Sequence, residues 1–79
     1  MKSYFRIAKG DTIKATMCVA DGRLLASLYD SNFRTISGVI SALLEKVPLG
    51  CNAKHFDICI VNVYKEQVKY LKVRNPNSL

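Results

Sequence analysis

Tryptophan is absent from this chain of 79 residues, proline occurs twice, glycine four times and histidine once. So little Gly and Pro excludes collagen-like and low-complexity chains, and a hydrophobic content of 49% excludes disorder. No apolar stretch approaches the ~20 residues that a membrane-spanning helix needs, so no membrane partner is expected. The opening Met1 to Gly10 has basic residues but neither an apolar h-region nor a small-residue cleavage site, and no signal peptide is expected. Cys18, Cys51 and Cys59 are odd in number and lack CxxC spacing. That is the cysteine usage of a reducing compartment, so the expected location is cytoplasmic.

Acidic residues are also scarce, 6 against 12 Lys and Arg, for a net charge of +6. The excess is spread: residues 1–40 and 41–79 each carry six basic and three acidic residues. No basic tail exists to bind nucleic acid by itself, so any polyanion site must be assembled by folding. A well-solvated surface accounts for the same charge.

The length allows one domain, expected over 1–74, with 75–79 (Asn-Pro-Asn-Ser-Leu) as a polar disordered tail. A chain this short buries only roughly 60–65% of its unfolded surface, so its core is thin. Thr12 to Ala20 alternates polar and apolar, Asp21-Gly22 follows, and Arg23 to Tyr29 alternates again. Asp-Gly suits a two-residue type I′ turn. That turn sets Val19, Met17 and Ala15 opposite Leu24, Ala26 and Leu28 on one apolar face. Lys14, Thr16, Cys18, Arg23, Leu25 and Tyr29 then lie on the other. Ser3 to Ala8 reads as an earlier strand, and a three-residue loop at Lys9-Gly10-Asp11 puts Phe5 and Ile7 on the apolar face and Tyr4 and Arg6 on the polar one.

Ile36, Val39, Ile40, Leu43, Leu44 and Val47 form a single stripe at helical spacing. Ser31 or Asn32 is placed to cap that helix, and Pro48 and Gly50 to stop it. Gly38 within it suits a close helix–sheet approach or is incidental. Phe56 to Val63 is β-branched and apolar on both faces, as an inner strand is. Val68 to Arg74 alternates and pairs with it around Lys65-Glu66, setting Ile58 opposite Val73 and Ile60 opposite Leu71; a helix over 64–74 through Tyr64, Val68 and Leu71 is the weaker alternative. The expected fold is α+β in the order β-β-β-α-β-β, one antiparallel-rich sheet with a single amphipathic helix on one face.

Tyr4-Phe5-x-Ile7-x-Lys9, the hairpin Asp21-Gly22-Arg23-Leu24-Leu25-Ala26-Ser27, Tyr29, Gly38-Val39-x-x-Ser41 and Val47-Pro48 together resemble the YegP-like proteins, built from strand–strand–strand–helix repeats. The resemblance covers residues 4–48. It implies a fold and no activity, and it assigns no functional residue.

Catalytic patterns are missing. Cys51-x3-His55-x3-Cys59 has ligand-type residues but no fourth ligand for zinc, and Asp57 is poorly placed to orient a Cys–His pair. The glycines form neither GxGxxG nor a phosphate-binding loop, and no two carboxylates are spaced for acid–base work. The expectation is a non-enzymatic protein with no catalytic residue, metal, cofactor or small-molecule substrate. The uncovered sheet face is more informative. Arg6, Lys14, Arg23, Lys72 and Arg74 lie there with Tyr4, Tyr29 and Tyr70. Cations for phosphates and rings for base stacking are how single-stranded nucleic acid is gripped, so nucleic acid is the first expected partner. Val61, Val63 and Val68 with Cys59 form an apolar group on the same face. This group makes a protein interface, most simply a homodimer, the alternative.

Overall fold

The computed structural model describes residues 4–77, in the order β1 (Ile13–Cys18), β2 (Leu24–Asp30), α1 (Ile36–Leu44), β3 (His55–Asn62) and β4 (Gln67–Arg74). The strands form one antiparallel sheet in the order β2-β1-β3-β4, so β1 and β3 are central and β2 and β4 are edges. This is a small α+β fold with an open sheet. No helix among the described residues is long and apolar enough to cross a membrane.

Alternation in the central strands creates the core. Ile13, Ala15 and Met17 of β1 and Phe56, Ile58 and Ile60 of β3 are buried on one face, joined by Ala26 of β2 and by Val39 and Leu43 of α1. The helix packs on β1 and β2 only. Phe5 and Ile7 from the chain before β1, and Val47, Cys51 and Ala53 after the helix, also pack against this core. The first segment is tied to Asn62 and Gln67 at the β3–β4 hairpin, and the second to Asn75 just past β4.

Residues 4–8 are therefore core-covering chain but not the expected first strand (Ser3 lies outside the described residues). Side chains take the place of a neighbouring strand there. Gln67 accepts from the Arg6 amide through Oε1 and donates to the Tyr4 carbonyl through Nε2. Asn62 Nδ2 donates to the Arg6 carbonyl, and Asp11 Oδ2 accepts from the Ala8 amide.

The β1–β2 turn also differs from expectation. The Gly22 amide donates to the Val19 carbonyl and the Val19 amide to the Arg23 carbonyl, enclosing a three-residue loop. Only Gly22 has positive φ there (90°), whereas a type I′ turn needs it at both central positions. Val19 thus faces Arg23 and not Leu24. A bulge restores the expected pairs Met17–Ala26 and Ala15–Leu28 beyond it. The bulge turns Leu24 outward opposite Cys18 and lets Leu25 pack on the core.

Three further expectations shift. The helix cap is Thr35, whose Oγ1 accepts from the Gly38 amide, and not Ser31 or Asn32. A Cβ on Gly38 would come within 3.2 Å of that oxygen, so this glycine leaves room for the cap and serves no helix–sheet approach. In the β3–β4 hairpin Ile58 faces Leu71 and Phe56 faces Val73, two residues from the expected register. Asn62 causes this: its Oδ1 accepts from the Lys65 amide, opening a longer turn with Glu66 at φ 55°. Finally, the chain is still packed at Asn75. This buried residue donates through Nδ2 to the carbonyls of Ala53 and Cys51, and its backbone amide donates to Lys54. Residues 78 and 79 lie outside the described residues.

Candidate functional site

A strand shows alternate residues to opposite faces, so the buried rows fix what the opposite face of the sheet carries. One row crosses it as Tyr29, Lys14, Val61, Val68; the next as Ser27, Thr16, Cys59, Tyr70; the third as Leu24, Cys18, Asp57, Lys72. His55 and Arg74 end the series on β3 and β4. The two-residue register shift at β4 leaves these faces unchanged, because the side-chain period is also two.

Lys14, Tyr29, Tyr70, Lys72 and Arg74 therefore share the open face as expected, and all are exposed. Tyr29 is 68% exposed and Tyr70 77%. They stand on opposite edge strands. Three inter-strand steps and one two-residue step separate them, ~16 Å across the face. Between them lie the small and aliphatic residues of the central strands. Val61 and Cys59 are half-buried there, while Val68 is 50% exposed and Val63, just past β3, 43%.

Three expected members are elsewhere. Tyr4 and Arg6 belong to the segment hydrogen-bonded to Gln67 and Asn62, beside the end of the β3–β4 hairpin, and so are not in a strand of this face. Arg23 pairs with Val19, whose side chain is buried in the core, so the register carries Arg23 off the open face. Each displacement has a cause given above: the side chains that replace the first strand, and the three-residue turn. The exposed Tyr64 was absent from the expected site. It sits in the β3–β4 turn with the Lys65 ammonium 5.7 Å from its ring centre. Tyrosine favours strands, so the sequence carried no signal that put Tyr64 in the turn.

Charge on the open face is modest. Asp57 is the only acidic residue that the strand registers place there, and Lys72 lies 3.8 Å from it across the strand pair. Next to these two, the face sinks into a shallow hollow of about 440 Å³ over β1, β3 and β4. Cys18 and Cys59 line it; Cys51 lies apart among the core-covering residues, and His55 is exposed at the strand end. Cys51, His55 and Cys59 are thus not brought together. No cluster of three metal-ligating side chains forms among the described residues.

Among the described residues, the titrating group with a marked shift, Asp11, is remote from this face. The Asp11 carboxylate is lowered from 3.8 to about 2 by the Lys65 ammonium first, then by hydrogen bonds from Asn62 and the Ala8 amide. The cluster ties the chain before β1 to the β3–β4 turn and is architectural.

Fold and face together define a class: a small α+β protein with one sheet face packed and the other open, mixed aromatic, aliphatic and basic. Comparison with family models, with curated proteins and with solved structures finds no match.

Proposed function

We propose that this chain is a non-enzymatic binding protein that holds single-stranded nucleic acid across its open sheet face, in the cytoplasm. The observation that carries the reading is the pairing of rings with cations at both edges of one face: Tyr29 beside Lys14, and Tyr70 beside Lys72 and Arg74. Rings this exposed offer stacking surface without rearrangement, and Lys14, Lys72 and Arg74 supply positive charge on the same face for a phosphate backbone. Titration of labelled single- and double-stranded oligonucleotides at low and moderate salt tests it. Single strands are expected to bind more tightly, with affinity falling steeply with salt. Lys14→Ala should reduce the salt slope by about 0.7. Tyr70→Ala should weaken single-strand binding by about 1–3 kcal/mol, the worth of one stacked base. Absence of binding at low salt and low micromolar protein overturns the reading.

The exposure of Val63 and Val68 beside Val61 supports a second reading, in which the occupant of the face is another copy of this chain. Burying that group against its two-fold mate would relieve a thin core of exposed apolar surface. Light scattering should then give twice the 8.8 kDa chain mass at high concentration, and Val61→Lys should return it to the monomer value. A mass near the monomer value at every concentration rejects this second reading.

A further inference from the structure

An acidic side chain on a face that binds a polyanion opposes binding, so the position of Asp57 calls for a reason. Its ion pair with Lys72 is a weak one, since an exposed pair at 3.8 Å contributes little. Its place beside the hollow is a better one. The hollow lies between the rows Thr16–Cys59–Tyr70 and Cys18–Asp57–Lys72, and its volume of about 440 Å³ has room for one planar base. Thr16, Cys18 and Cys59 are too small to fill it. Tyr70 flanks it with an exposed ring, and Asp57, its diagonal neighbour across the strand pair, lines the same hollow.

An ionised carboxylate only accepts hydrogen bonds, through two oxygens side by side. Lys72 is too far for a close hydrogen bond, which leaves those oxygens available. Among the common bases only guanine offers two adjacent donors, N1–H and the N2 amine, followed by the O6 acceptor. Adenine and cytosine set a ring acceptor next to their amine, and thymine and uracil flank a single N–H with carbonyls. Asp57 with Lys72 beside it matches the guanine sequence of two donors and one acceptor. We propose that the hollow selects guanine from single-stranded nucleic acid, with the base stacked on Tyr70 and its N1–H and N2–H donating to Asp57. This rests on the nucleic-acid reading and adds the base that is chosen.

The test is a titration of short oligothymidylates whose central position is thymine, guanine, adenine, cytosine or hypoxanthine, the last being guanine without its N2 amine. The guanine oligomer should bind about tenfold more tightly than the all-thymine one, as a bidentate base contact gives. Hypoxanthine should lose most of that advantage, and in Asp57→Asn guanine and thymine should fall within about twofold of each other. Equal binding of all five by the unaltered protein, or preference for another base, overturns the guanine assignment while nucleic-acid binding stands. No binding of any oligomer at low salt overturns both.

Discussion

Asp11 shows how one side chain substitutes for secondary structure. Its carboxylate accepts from the Lys65 ammonium, the Asn62 amide and the Ala8 backbone amide at once, and it is almost fully buried. Three donors aimed at one acceptor favour its ionised form, which is why its pKa falls from 3.8 to about 2. A group whose folded pKa lies below its unfolded one adds stability that is fully present above the unfolded value. That stability is lost as pH falls through the folded value. The window here runs from about pH 4 down to about pH 2. Urea midpoints measured from pH 5 to pH 2 should therefore decline across that window in the natural protein. Asp11→Ala should start lower at neutral pH and decline less steeply. An unchanged decline in the variant would mean that other carboxylates set the acid limit. Asn62 is the other half of the device, bonded to Arg6, Asp11 and the Lys65 amide. The local Lys9-Gly10-Asp11 context suggested only a turn. Three partners up to 54 residues away in sequence were not legible locally.

At the level of elements, the strands with a period-two pattern and the helix with a single apolar stripe were legible, because burial of one face writes itself into the sequence. Turns were legible as turns but not in length. Asp21-Gly22 signals a tight turn, yet whether the loop holds two residues or three depends on φ at Asp21, which the dipeptide leaves open. The bulge at β2 then absorbed the extra residue, so the core pairs came out as the pattern required and only Leu24, Leu25 and Arg23 changed sides. The β3–β4 turn shows the same effect with a different outcome: Asn62 fixes a four-residue loop, and the slip of two residues left every side chain on its expected face. That loop has a testable cost. Glu66 holds φ at 55°, a conformation that disfavours residues with a Cβ by roughly 1–2 kcal/mol. Glu66→Gly should stabilise the protein by about 0.5–1 kcal/mol, less than the full strain because glycine loses more freedom on folding. Chemical denaturation at constant m value reads it directly. A destabilised variant would show that the Glu66 side chain contributes more than its backbone costs.

For the molecule as a whole, the decisive fact is that a helix of nine residues cannot cover a four-stranded sheet. It packs on β1 and β2, and Phe5 and Ile7, in a segment held to the β3–β4 hairpin, together with Val47, Cys51 and Ala53 after the helix, complete the packed face. The expectation of a first strand identified the right apolar residues, Phe5 and Ile7, on the right face, but gave them the wrong backbone. Side chains of Gln67, Asn62 and Asp11 hold that backbone where a strand would have used a ladder. With so thin a core, this segment is a structural element of the domain, and its removal should be felt far from the N-terminus. Ile7→Ala is expected to lower stability by about 1.5–3 kcal/mol, below the usual range for a fully buried residue because Ile7 is only half-buried. Leu24→Ala, at an outward-turned and exposed leucine of the opposite edge, should cost less than about 0.5 kcal/mol. Hydrogen exchange in the Ile7 variant should accelerate in β3 and β4 before β1 and β2, since the helix still covers the latter pair. Equal small effects of the two substitutions would show that this segment adds little to the core. Uniform acceleration would show that the four strands open as one unit, with no separate half for the segment to hold.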